Sequence, residues 1–151
     1  MNDRDHEVQG ILFSCLMNPW YAKYIHPPLP AGVVQRFSMG YLRQCIVEGR
    51  ASGRWGHSNY DAAHDVATWF AQQWSDDRES SRGTVIADIK EMLAAVYRSG
   101  DAATKRCVVD GALEHMFQVE GVPEFFASWQ MDPILSQPYE EAAEWSRSQP
   151  P

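Results

Sequence analysis

Residues 84–118 read TVIADIKEMLAAVYRSGDAATKRCVVDGALEHMFQ, and they contain two apolar patterns separated by a short polar turn. In both patterns the apolar side chains recur every three or four residues, as on one face of an α-helix. The turn, Ser99-Gly100-Asp101, combines a glycine that ends one helix with an aspartate that can cap the next. This combination is typical of a tight connection between antiparallel helices. The stretch therefore predicts a hairpin of two helices, at residues 84–98 and 102–118.

The same helical spacing occurs in most of the remaining chain. It predicts further helical segments before Pro19, at 33–48, at 60–75, around Phe125–Trp129 and at 138–147. No segment alternates apolar and polar residues in the way that indicates a strand. With 151 residues, the chain also has the length of one domain. We expect an all-α fold: a single domain over 1–151, with six or seven helices in antiparallel helical hairpins and the last few residues disordered.

Two of these helices have apolar faces that can be assigned from the sequence. The apolar pattern of the first helix consists of Val8, Ile11, Leu12, Cys15 and Leu16. In the helix at 60–75, one face consists of Ala63, Val66, Ala67, Phe70 and Trp74. Trp69 and Gln73 lie on a different face of that helix.

Two longer stretches interrupt the helices. Residues 18–32 contain four prolines and three aromatic residues, which predicts a loop whose rings pack over the helices. Residues 49–59 contain three glycines and two arginines around Trp55, but they lack the ending and the preceding strand of a phosphate-binding loop. We expect a linker there, and a polar break between two helices at residues 76–81.

The charged residues are unevenly distributed along the chain. Residues 1–106 contain twelve acidic and twelve basic residues. Residues 107–151 contain eight acidic residues and one basic residue, and therefore carry the whole net charge of −7. A surface of this kind repels nucleic acids and attracts basic proteins. The alternative is a solvated acidic surface that has no partner.

The sequence contains no motif of a catalytic or cofactor-binding site. His57, Asp61 and His64 are the best candidates for metal ligands, because their spacing would place them on one face of a helix. However, Ser58 or Asn59 is expected to cap this helix, which leaves His57 outside it. The chain also lacks a nucleophile elbow and the glycine-rich nucleotide-binding motifs. We therefore expect no metal, no cofactor and no enzymatic activity.

Three cysteines, Cys15, Cys45 and Cys107, each lie in an apolar helical pattern. Their odd number and wide spacing argue against a disulfide or zinc framework, so we expect three reduced and mostly shielded thiols. No apolar run approaches the roughly 20 residues of a transmembrane helix. The acidic N-terminal stretch has no feature of a secretory signal. These observations predict a cytoplasmic chain that binds neither membranes nor nucleic acids.

Two stretches of the chain resemble a known family. Residues 89–116, IKEMLAAVYRSGDAATKRCVVDGALEHM, and residues 125–145, FFASWQMDPILSQPYEEAAEW, are similar to small helical bacterial proteins. In that family a helix ends in a Gly-Asp turn, the next helix carries a Leu-Glu pair, and a Gly-Pro-x-Leu segment precedes the last helix. In this chain the corresponding residues are Gly100-Asp101, Leu113-Glu114 and Asp132-Pro133-Ile134-Leu135. Asp132 stands where the family usually has glycine.

Proteins with this resemblance are regarded as immunity proteins of polymorphic toxin systems. The resemblance implies an all-α fold, no catalysis and a cognate toxin as partner. We expect the chain to neutralise a toxin domain with a basic active-site face by covering that face with an acidic surface. The residues expected to contact the toxin are Asp76, Asp77, Glu79, Glu140, Glu141, Glu144, Trp55 and Tyr60. The alternatives are a helical adaptor of another bacterial assembly and a small helical metal-dependent enzyme.

Overall fold

The structure is a computed structural model that describes residues 2–18, 29–53, 56–75 and 79–150, with only the backbone described at 79–84. Four long helices come first: α1 (Asp3–Met17), α2 (Ala31–Glu48), α3 (Asn59–Ser75) and α4 (Glu79–Ser99). Helix α5 consists of α-helical turns at Ala102–Cys107 and Glu114–Met116 on either side of a π-helical stretch, Val108–Leu113. The short α6 (Val122–Phe125), a 3₁₀ helix (Ala127–Met131) and α7 (Ser136–Ser148) follow.

The predicted fold class is confirmed. Helices account for 80% of the described residues, which contain no strand and form a single domain with seven helices. None of the helices in the described part of the chain is both long and apolar enough to cross a membrane.

Helix α3 lies at the centre of the molecule and packs against α2, α4 and α5. Each large apolar side chain that this packing buries contributes about 1.5–3 kcal/mol of hydrophobic stabilisation. The largest fully buried apolar side chains come from all parts of the chain and include Leu42, Ile46, Phe70, Ile89, Leu93, Leu113, Met116 and Phe126. The buried core extends further, from Phe13 of α1 to Tyr139, Ala142 and Ala143 of α7.

The predicted turn between α4 and α5 is present. The Asp101 carboxylate accepts a hydrogen bond from the backbone N–H of Thr104 at 2.8 Å, which caps α5. Gly100 does not adopt the left-handed conformation that is common for a glycine at the end of a helix. A Cβ atom at this position would lie 2.8 Å from both Thr104 Cγ2 and Val96 O, so the turn requires glycine because the chain passes close to itself.

Helix α3 is covered on more than one face. Trp69, which lies on a different face from the predicted apolar one, is only 6% exposed. It borders a small pocket together with Phe13 and Met17 of α1, so α1 covers this face of α3. Trp74, on the predicted apolar face, is half-buried against the core and donates a hydrogen bond from Nε1 to the carbonyl oxygen of Glu120 at 3.2 Å.

Helix α1 packs in an orientation that its apolar pattern did not predict. Gly10 and Phe13 are buried, whereas the side chains of Val8, Ile11 and Leu12 are 57%, 42% and 39% exposed. A Cβ atom on Gly10 would lie 3.1 Å from the Tyr41 hydroxyl oxygen and 3.1 Å from the Gly53 carbonyl oxygen. The missing side chain thus allows this face of α1 to approach its neighbours closely.

The structure differs from the predicted helices in three places. Helix α4 already begins at Glu79, inside the expected polar break, because glutamate and serine are well tolerated in the first turn of a helix. Helix α2 begins at Ala31, so it includes the last two residues of the loop that we expected at 18–32. Most of that loop lies outside the described residues. The third difference is in α5, where we expected an uninterrupted α-helix and the structure contains the π-helical stretch.

Candidate functional site

The π-helical stretch of α5 packs against the first turns of α3. A Cβ atom on Gly111 would lie 2.7 Å from Ala63 Cβ and 3.3 Å from Tyr60 Cδ1, so only glycine allows the two helices to come this close. The ring of Tyr60 consequently lies against the π-helical stretch, and its side chain is still 41% exposed. This contact brings an exposed aromatic residue next to the acidic residues of α5.

A charged cluster joins α5 to α7. The Arg106 guanidinium donates to both carboxylate oxygens of Asp110, at 2.9 Å and 2.8 Å, and to Glu141 Oε2 at 2.7 Å. Gln137 Nε2 donates to the second oxygen of Glu141 at 3.4 Å. The hydrogen bonds from Arg106, to Asp110 first and to Glu141 second, raise the pKa of Arg106 above its ordinary value. One cation thus holds two carboxylates from two helices at the surface.

Further carboxylates extend this cluster. Burial and then the neighbouring Asp110 raise the pKa of Glu114, and burial and then Asp110 also raise the pKa of Tyr60. These shifts show that Tyr60, Asp110 and Glu114 are electrostatic neighbours. Glu140 and Glu144 are exposed on α7. We give the name acidic face to the acidic residues of α5 and α7, Asp110, Glu114, Glu140, Glu141 and Glu144, with Tyr60 beside Asp110. Glu141 turns towards α5, and Glu140 points to a different side of α7.

Two histidines and a tryptophan border the acidic face. The rings of His64 in α3 and His115 in α5 meet edge to face, with centroids 5.2 Å apart. The ring of Trp145 in α7 lies 6.2 Å from that of His115 in a similar geometry. Burial and then the nearby His64 lower the pKa of His115. The aromatic contacts therefore continue across the three helices that carry Tyr60 and the acidic residues.

Of the residues expected to contact a partner, the structure connects two, Tyr60 and Glu141. Tyr60 and Glu141 are linked through Asp110 and Arg106, and Glu140 and Glu144 lie on the same helix as Glu141. Glu141 is not on the free edge of α7 that we expected, because it turns towards α5 and pairs with Arg106. The spacing of α7 explains this difference, since a residue next to Glu140 points about 100° away from it.

The other expected contact residues are not part of this surface. Trp55, Asp76 and Asp77 lie outside the described residues. Glu79 belongs to the first turn of α4 rather than to a break, and its side chain is also outside the described part. Sequence reasoning missed Asp110 and Glu114 as members of one face. The spacing of four residues that relates Arg106, Asp110 and Glu114 was the available signal.

The histidines and aspartate considered as metal ligands have another role in the structure. Asp61 Oδ2 accepts hydrogen bonds from the backbone N–H groups of His57, at 2.6 Å, and Ser58, at 3.0 Å. These hydrogen bonds lower the pKa of Asp61, and the Ser58 hydroxyl in turn accepts from the N–H of Tyr60. This is a capping arrangement at the start of α3. Within the described residues, no group of three or more His, Cys, Asp or Glu side chains could hold a metal ion.

Comparisons of the chain with protein-family models, with curated proteins and with solved structures found no match. The function is therefore inferred from the residues of the acidic face and from the resemblance described above.

Proposed function

We propose that the protein binds a basic protein domain through the acidic face and neutralises it without catalysis, as an immunity protein does for its cognate toxin. The observation that supports this proposal is the charged cluster of the acidic face, where Arg106 pairs with Asp110 of α5 and Glu141 of α7 close to Glu114 and the exposed Tyr60, while Glu140 and Glu144 are exposed on α7. The expected partner is a toxin domain with a basic active-site face, and we place the encounter in the cytoplasm.

The charges and the aromatic side chain would have different tasks in this interaction. Exposed carboxylates such as Glu140 and Glu144 attract a basic surface over several ångströms and raise the rate of association. Tyr60 offers a rigid apolar ring with a polar tip, which is the kind of residue that supplies the central affinity of an interface. The partner would be held mainly by Tyr60 and guided mainly by the carboxylates.

The identification of the partner as a toxin depends on the resemblance. The Leu113-Glu114 pair that carries part of the resemblance lies in α5, and Glu114 belongs to the acidic face. The Gly100-Asp101 turn, which carries another part, closes the hairpin that holds α5 in place. The resembling residues thus coincide with the elements that build the proposed binding surface.

The proposal is tested by co-expressing the chain with the product of the adjacent gene. We expect the two polypeptides to purify together and the chain to restore growth if the neighbouring product is toxic. Tyr60→Ala should raise the dissociation rate and cost about 2 kcal/mol or more of binding free energy if Tyr60 is a central anchor. If the neighbouring product does not bind and the purified chain carries a stoichiometric metal, a metal-dependent enzyme replaces this proposal.

A further inference from the structure

An open groove of about 470 Å³ lies between α4 and the segment from α6 to Leu135, on side chains that the acidic face does not use. Its apolar lining includes Ala94, Phe125, Trp129 and Leu135. Ala94 and Phe125 are half-buried and supply accessible apolar surface, whereas Trp129 and Leu135 are almost fully buried and form the rigid base of the groove. A volume of this size, with mostly apolar walls and a few polar groups, is typical of sites for small ligands.

Lys90 is the positive group in the wall of this groove. Its Nζ donates to the carbonyl oxygen of Phe125 at 2.8 Å and to Ser128 Oγ at 3.1 Å, and it lies 4.9 Å from the centre of the Phe125 ring. An ammonium group has three N–H donors, so one remains for a further acceptor. Burial lowers the pKa of Lys90, and no carboxylate in the described part of the chain forms an ion pair with it.

The other charged groups of the groove are either satisfied or negative. Arg98 pairs with Asp132, and the Asp132 carboxylate also accepts from the backbone N–H groups of Ile134 and Leu135, at 2.8 Å and 3.0 Å. This pair therefore does not supply a counter-ion for Lys90. Glu91 also lines the groove, and its exposed carboxylate would repel an anion. The site thus contains one cation that attracts an anionic ligand and one carboxylate that opposes it.

We propose that this groove binds a carboxylate that is attached to an apolar body. The carboxylate accepts a hydrogen bond from Lys90 Nζ, and the apolar body covers the half-buried Ala94 and Phe125. Such a ligand could be a free fatty carboxylate or the C-terminal residue of a peptide with an apolar side chain, because both present the same chemistry. The inference is independent of the acidic face and of the proposed function.

The test is a titration of the full chain, followed by NMR, with octanoate, octanamide and N-acetyl-leucine as probes. We expect saturable shifts of the Trp129 indole and Ala94 methyl signals with at least one carboxylate, and roughly tenfold weaker binding of octanamide. Tighter binding of octanoate indicates a fatty carboxylate, and tighter binding of N-acetyl-leucine indicates a peptide end. Equal binding of octanoate and octanamide, or no saturable shift up to about 10 mM, would overturn the proposal.

Four variants test whether the shifted NMR signals report binding in this groove. Lys90→Gln removes the charge while it keeps a donor for Phe125, and it should weaken octanoate binding roughly tenfold. Glu91→Gln should retain or strengthen binding, and Lys105→Gln, whose lysine lies over the Tyr97 ring instead, should leave it unchanged. Ala94→Leu fills the groove with Lys90 intact and should abolish binding, which provides a second test if Lys90→Gln does not fold. Wild-type affinity in either Lys90→Gln or Ala94→Leu contradicts the assignment.

Discussion

Gly111 sets the distance between α3 and α5, because a side chain there has no space. Gly111→Ala should lower the free energy of unfolding by about 1–3 kcal/mol, the usual cost of overpacking a core. Urea denaturation measures this change. Gly40→Ala is a matched control, since nothing lies within 4 Å of its added Cβ on α2, and it should stabilise the protein by about 0.5–1 kcal/mol.

The clash predicted for Gly111→Ala has a specific partner, Ala63 Cβ at 2.7 Å. Adding Ala63→Gly to Gly111→Ala should therefore recover part of the lost stability, in spite of the low helix propensity of glycine. If the double variant is less stable than the sum of the two single variants predicts, the contact between these two residues is not the cause.

Asp65 is a partly buried carboxylate that gives stability a defined pH dependence. Burial raises the pKa of Asp65 above its ordinary value of 3.8, although the Ser52 hydroxyl donates to Asp65 Oδ2 and partly offsets this effect. The folded state therefore prefers the protonated form. The stability that this residue contributes is fully present below pH 3.8, and it is lost as the pH rises through the higher pKa of the folded state.

Asp65→Asn should remove this loss, because asparagine stays neutral and can still accept from Ser52. We expect the free energy of unfolding of Asp65→Asn to rise relative to wild type between about pH 4 and about pH 7. Urea denaturation at several pH values follows this difference, with Asp88→Asn, at an exposed position of α4, as the control. A difference that does not vary with pH would show that Asp65 has the same pKa in both states.

At the scale of elements, α1 exposes the apolar side chains of Val8, Ile11 and Leu12, and its cysteine differs from the other two. Cys45 and Cys107 are fully buried, and burial raises the pKa values of their thiols to about 11 and about 12. Cys15 in α1 is half-buried. A thiol reagent should label Cys15 much faster than the other two cysteines in the native protein.

Labelling followed by mass spectrometry measures these rates. Cys15→Ser should eliminate the fast reaction, and denaturation should expose the two remaining thiols. Fast labelling of all three thiols in the native state would contradict both the packing described here and the original expectation of shielded cysteines.

The elements that were predicted correctly from the sequence are determined by residues that lie close together along the chain. The hairpin of α4 and α5 and its Asp101 cap follow from local spacing and from one capping residue. The buried face of α1 could not be predicted in this way, because it depends on the contact of Gly10 with Tyr41 and Gly53, which are distant in sequence. The same holds for Trp69, whose burial depends on α1.

The candidate site was predictable only in part for the same reason. Tyr60 and the glutamates of α7 were recognised as separate exposed candidates, but their association requires the close contact of α3 with α5 and the bridge from Arg106 to Glu141. A glycine in the middle of an apolar helical pattern, Gly111, was the one local signal of that contact. This glycine did not reveal that the part of α5 that packs against α3 is π-helical.

At the scale of the whole molecule, the net charge of the last third is concentrated on two helices. Asp110 and Glu114 of α5 and Glu140, Glu141 and Glu144 of α7 account for five of its eight acidic residues. Salt bridges at the surface contribute little to stability, with a median of about 0–1 kcal/mol. The arrangement therefore makes a larger difference to long-range attraction than to folding.

The most direct measurement of this claim is the rate of association with the product of the adjacent gene, followed by stopped flow over a range of salt concentrations. The wild-type rate should fall as salt rises, because screening shortens the reach of the exposed carboxylates. Glu140→Lys/Glu144→Lys should associate more slowly and depend less on salt, with little change in dissociation. Glu7→Lys/Asp88→Lys, which changes the net charge equally at exposed positions elsewhere, should stay closer to wild type. Equal effects of the two double variants, or a wild-type rate that does not respond to salt, would contradict a role for the acidic face.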